Sequence, residues 1–182
     1  SLDSATVTTD LKYYLFDNET VSFEDDSYQT LEISSEEINA INYSFESFSN
    51  VADITFTQTN AANEAHIAWL LFDNVESLND YAGVAYLPES GSAEAGYIAI
   101  NASVYSNQNF GSSRYINNSL DRGSYAYITF PHELGHALGL KHPHDNVSVN
   151  INNQEFTYNT FPGVNPGGEE QGGENGLNAS PW

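Results

Sequence analysis

The 182 residues predict an α+β domain, a twisted sheet with helices packed on it. Three observations carry that prediction. Short apolar runs that read as strands recur between residues 11 and 102. Two other segments, from Ser34 and from Ser124, carry helical signals. The order is strand, helix, several strands, a second helix and then a polar tail that reads as irregular.

Residues 1–10 are small and polar and read as a flexible arm, with one domain over 11–182. Leu11–Phe16 (LKYYLF) and Thr20–Phe23 read as extended, with Asp17-Asn18 as the turn between them. Ser34 and Glu37 form a capping box, and Ile38, Ile41, Phe45 and Phe48 follow at helical spacing. They predict a helix over 35–49 buried on that stripe. Ala52–Thr57 alternates as a strand does. The run HIAWLLF, ending at Phe72, is apolar on both faces, which predicts a central strand. Ala82–Leu87 and Tyr97–Ala102 are further strands, joined by a loop of small and acidic residues at 89–95. Residues 107–123 are a polar loop, and a helix begins near Ser124. Pro131 lies within it, so either that helix is kinked there or its regular part begins at the proline; the apolar residues of 124–130 favour the kink.

Twenty-five acidic residues stand against four lysines and arginines, a net charge of −21. Such a surface repels nucleic acid and anionic membrane, and both are excluded as partners. The acidity suits high salt, as in a marine setting, and divalent cations; it equally serves solubility alone. With no cysteine there is neither disulfide nor thiolate ligand. No apolar run approaches the length of a membrane span. The chain is expected to be monomeric.

The chemistry concentrates in one stretch, His132-Glu133-Leu134-Gly135-His136-Ala137-Leu138-Gly139-Leu140-Lys141-His142. On a helix, His132 and His136 lie on one face, one turn apart, and can bind one Zn²⁺. Glu133 points beside that pair, where a carboxylate meets water without being a ligand. Gly139 ends the helix cheaply, so the chain turns back and His142 supplies a third nitrogen. Three protein ligands leave a fourth position open, as a catalytic zinc site needs. The full H-E-x-x-H-x-x-G-x-x-H pattern fixes five positions and is far more specific than H-E-x-x-H alone. His66 reads as a structural histidine and His144 as an exposed polar residue; Asp145 is a candidate to orient a ligand imidazole.

The segment 125–145, YAYITFPHELGHALGLKHPHD, resembles the active-site segment of the serralysin-type zinc metalloproteases, of the metzincin clan and the M10 peptidases. The G-L-K-H-P-H-D ending favours that branch, and the likeness in order and spacing runs from about Leu11 onward. The resemblance implies a mostly parallel five-stranded sheet with an antiparallel edge strand, packed on two long helices, and an irregular C-terminal part. It implies a secreted, extracellular bacterial endopeptidase acting on proteins or peptides, with Zn²⁺ and one or more Ca²⁺ on loops such as 73–80 or 89–94. It makes Gly83, Val84, Ala85, Tyr86 and Leu87 the edge strand that pairs with an extended substrate. It also implies a glycine-rich calcium repeat and a further helix after Trp182, neither of which these residues contain.

The chain departs from that family in having no methionine for the turn beneath the metal. One register sets Phe156 at the methionine and Tyr158 at the tyrosine that stabilises the oxyanion; a rival sets Asn159 and Phe161 there. A rival from another class also stands: a catalytically impaired metal-binding or recognition domain of a larger secreted protein. The lost methionine favours it, and the intact Glu133 opposes it.

Overall fold

The computed structural model describes residues 9–23, 26–73, 75, 81–88, 93–103, 120–142, 147–151 and 154–158. The chain forms two compact units, 1–139 and 140–182. In the first, the elements run β1 (Thr9–Phe16), β2 (Thr20–Phe23), β3 (Asp26–Gln29), α1 (Ser35–Ser49), β4 (Ile54–Gln58), a 3₁₀ turn (Ala62–Glu64), β5 (Ile67–Phe72), β6 (Gly83–Ala85), β7 (Tyr97–Asn101) and α2 (Tyr125–Ala137). The second holds β8 (Val147–Ile151) and β9 (Gln154–Tyr158).

Five strands form one sheet in the order β4-β1-β5-β7-β6. β1 runs parallel to β4 and β5, β5 runs parallel to β7, and β6 is the antiparallel edge. The expected central strand is β5, whose six residues are all buried. Its continuous apolar run follows from cover on both faces. Ile67, Trp69 and Leu71 point into one core, shared with Ala40, Ile41, Phe45, Phe130 and Leu134 of the two helices. Ala68, Leu70 and Phe72 point into the other, shared with Phe16, Val21 and Phe23. That second face is covered by the β2–β3 hairpin, of which β3 was not expected from the residues. β1 starts at Thr9, whose N–H donates to the Asp53 carbonyl, so Thr9 and Asp10, expected in the arm, belong to the sheet.

Helix α1 spans the expected 35–49 and begins where the capping box places it: the Ser34 hydroxyl accepts from Glu36 N, and Glu37 accepts from Ser34 N. Of the expected stripe, Ile41 and Phe45 are buried and Phe48 packs against the core, and only Ile38 departs from it. Ala40, Ile41, Ser44 and Phe45 are buried, whereas Ile38 is 39% exposed. Small Ala40 and Ser44 let the helix lie close to its neighbours. The buried Ser44 hydroxyl is satisfied by the Ala40 carbonyl one turn back, at 2.8 Å. Ile38 is left at the rim, lining a cleft of about 270 Å³ with Tyr13, Leu15 and Ile33.

Two details set the edge of the sheet. Gly96 adopts φ +81°, and a Cβ there would lie 2.1 Å from the His66 carbonyl, so only glycine fits. Its N–H donates to Tyr86 O and Tyr86 N donates to Tyr97 O, which carries the β6–β7 pairing past Ala85. Asn101 N donates to Ala82 O, and the Asn101 amide donates to Tyr81 O at 3.1 Å. Residues 82 and 86 thus bond toward β7, so by alternation Gly83, Ala85 and Leu87 turn their backbone groups to the open edge.

Within the C-terminal part expected to be irregular, residues 147–151 and 154–158 are regular. β8 and β9 form an antiparallel hairpin in which Val147 pairs with Tyr158 and Ile151 with Gln154. Parallel strands need long crossovers, but antiparallel ones need only a tight turn, so this short segment folds on itself.

Candidate metal centre

Helix α2 opens at Ser124, whose hydroxyl accepts from Tyr127 N at 3.1 Å. It runs through Pro131, so the proline does not start its regular part. Phe130 is fully buried and stacks on Trp69 of β5, with centroids 5.7 Å apart and 22° between planes. This contact seats the residues just before His132 on the central strand. Gly139 has φ +92° and donates its N–H to His136 O at 2.8 Å, closing the helix with a left-handed residue as the sequence predicts.

His132 Nε2 and His136 Nε2 stand 3.1 Å apart, with their rings 88° from coplanar. His132, His136 and His142 each offer a nitrogen, all within 4.8 Å of one another, and all three are half-buried. The donor set fits zinc. Two nitrogens on one tetrahedral ion at about 2.0–2.1 Å are separated by about 3.3 Å, close to the spacing of the first pair. Three neutral imidazoles with one position left over is also the composition of an open zinc site.

Glu133 is only 6% exposed. Burial pushes its carboxyl up to about 8 from an ordinary value of 4.5. A dication held beside it favours the charged form and opposes that rise. The metal-free protein therefore has a testable pH dependence. The folded state binds this proton more tightly than the unfolded chain does. Its contribution is fully present below pH 4.5 and is lost as pH climbs to about 8. The slope is about 1.4 kcal/mol per pH unit for one proton. In chelator, the melting temperature should fall between pH 5 and 8, and it should fall less in Glu133→Gln. Equal pH profiles would mean that the carboxyl titrates normally.

Glu133 also meets the edge strand. A Cβ added to Gly83 would lie 2.8 Å from Glu133 Cγ and 2.9 Å from Thr129 Cγ2. The motif spacing did not reveal this contact. The glycine inside the A-G-V-A run was the available signal, since a glycine in a strand often marks a close approach. The remaining expected residues fall elsewhere. Val84 and Tyr86 pack on the sheet face away from the helices, and Ala85 packs on the helix face. His66 is structural: its Nδ1 accepts from Lys12 N at 2.9 Å, far from the histidine cluster in sequence. Tyr158 closes β9, and its side chain lies outside the described residues. His144, Asp145, Asn159 and Phe161, together with most of the expected calcium loops at 73–80 and 89–94, lie outside them too.

H-E-x-x-H on a helix, with a third histidine beyond a helix-ending glycine, is the ligand pattern of a class of zinc hydrolases. The chain belongs to the metallopeptidases: Metallo-peptidase family M12B, Reprolysin-like, matches residues 23–174. Within that class the sequence is similar to serralysins, as the G-L-K-H-P-H-D ending implies. It is 37% identical over 106 residues to "Serralysin" of Photorhabdus laumondii, covering 58% of this chain and 20% of that one. It is 39% identical over 101 residues to "Metallopeptidase AprA" of Pseudomonas marginalis, covering 55% and 19%. The matched segment thus spans about 20% of the length of the curated relatives. The matched family is the reprolysin-like one and the relatives are serralysins, so the metallopeptidase class is what the two share. Among solved structures, "Structure of myroilysin" aligns with a TM-score of 0.43 and 16% identity, over 75% of this chain and 50% of that one. No helix among the described residues is long and apolar enough to cross a membrane.

Proposed function

We propose that this domain carries the active centre of a secreted, zinc-dependent endopeptidase that hydrolyses peptide bonds of proteins. The observation that supports this best is the convergence of His132, His136 and His142 with the buried Glu133 set between the first two in the helix. In this reading the three imidazoles hold Zn²⁺. Bound there, Zn²⁺ supplies Lewis acidity toward a carbonyl and makes water easier to deprotonate. The Glu133 carboxylate takes the proton from the attacking water and passes it to the leaving amine nitrogen. The open edge of β6 holds an extended peptide through the backbone groups of Gly83, Ala85 and Leu87, with little demand on side-chain identity. Tyr158 donates its hydroxyl to the oxyanion, a role carried by the serralysin likeness alone. Calcium on the acidic loops belongs to the same proposal.

An impaired binding domain has less support, because a pure binding site has no need of a carboxyl buried at this cost. The test is cleavage of a generic unfolded protein with and without a chelator, alongside elemental analysis for zinc and calcium. Chelator-sensitive cleavage with one zinc per chain is expected. Zinc binding without any cleavage would select the impaired domain.

A further inference from the structure

Gly83 has no conformational reason to be glycine. The described glycines with positive φ are Gly96, Gly123 and Gly139, and Gly83 is not among them. In a strand a side chain normally strengthens packing, so glycine there weakens the element unless something occupies the space. Here something does. The position of a Cβ on Gly83 is taken by the Glu133 side chain, 2.8 Å from Cγ and 3.2 Å from Cδ, and by Thr129 Cγ2 at 2.9 Å. Thr129 is one helical turn before Glu133, and both are buried, so neither side chain can swing into solvent to yield.

We propose that Gly83 is a positioning residue for Glu133: its missing side chain lets the carboxylate stem lie against the edge strand and fixes where that carboxylate sits. This rests on reading Glu133 as the general base. The same residue turns its backbone groups to the open edge of β6, so one short strand both seats the base and offers hydrogen bonds to a peptide. The distance between the base and a bound peptide is then set at a single position.

Gly83→Ala tests it. The added methyl has to displace the Glu133 stem, so kcat should fall by about ten- to hundredfold, the scale of a misplacement near 1 Å. KM and zinc content should stay within about twofold of normal. Adding Thr129→Ala opens space on the other side of the new methyl and should recover most of the lost kcat. A raised KM with normal kcat would overturn the proposal, because the glycine would then serve the peptide and not the base. Unchanged kcat would overturn it as well.

A second arm needs no activity. In chelator, Gly83→Ala should lower the melting temperature of the otherwise natural protein by more than it does in a Glu133→Ala/Thr129→Ala background. Equal losses in both backgrounds would show that the contact does not exist. If the unsubstituted protein holds zinc yet cleaves nothing, the protease reading fails, while the melting comparison still decides whether Gly83 seats Glu133.

Discussion

Glu133→Gln should leave the zinc in place and reduce peptide cleavage by at least about a hundredfold, the lower range of what a positioned general base contributes. Glutamine keeps the size of the side chain and its contact with Gly83, but it has no basicity. Because Glu133 is buried, removing its charge also removes a desolvation cost, so the variant should melt no lower than the natural protein at neutral pH. Zinc content, melting temperature and kcat measured on one preparation check all three points. Loss of zinc along with activity would make Glu133 a ligand or an essential support of one. Persistent cleavage would place the base elsewhere.

His136→Ala should have the other large effect, this time on the metal. Removing one of three imidazoles should weaken zinc binding by at least about a hundredfold, the upper end of the effect of losing a mere outer partner of a ligand. Cleavage should fall with it. The helix should survive, since alanine is the best helix former and His136 lies in the last turn of α2. Competition with a colorimetric zinc chelator gives the affinity, and circular dichroism reports the helix. A variant that keeps full zinc affinity would show that the nitrogens converging at this site are not the ligand set.

The residues that were legible in the sequence owe their places to local rules. His132 and His136 are joined by one helical turn, Gly139 needs a left-handed backbone, and Ser34 and Glu37 cap each other across three residues. β5 announced its central place because an uninterrupted apolar run is stable only with both faces covered. What was not legible depends on partners distant in sequence. β3 is DSYQ, a polar run with no periodic signal of its own, and it becomes a strand by pairing with Val21 and Phe23 of β2. The buried face of α1 turned away from Ile38 because the packing selected small Ala40 and Ser44, which carry no hydrophobic signal. VSVNI in β8 does alternate, but so short a run is decided by its mate across the hairpin. Gly83 and Glu133 are fifty residues apart, and no pattern joins them until the sheet edge and the helix meet.

The strand order has a kinetic consequence. β1 is synthesised before either of its neighbours, yet it pairs with both: Thr9 lies opposite Ile54, and Tyr13 lies opposite Ile67. A nascent chain must therefore hold β1 with two bare sides until some fifty later residues have been made. Such long-range parallel pairing gives high contact order and slow folding. During that interval the aromatic run KYYLF is open to pairing with other chains. Residues 1–53 already carry 12 acidic side chains against the single Lys12, and this early excess of negative charge acts in time as well as in space, keeping half-made copies apart while the middle of the sheet is still missing.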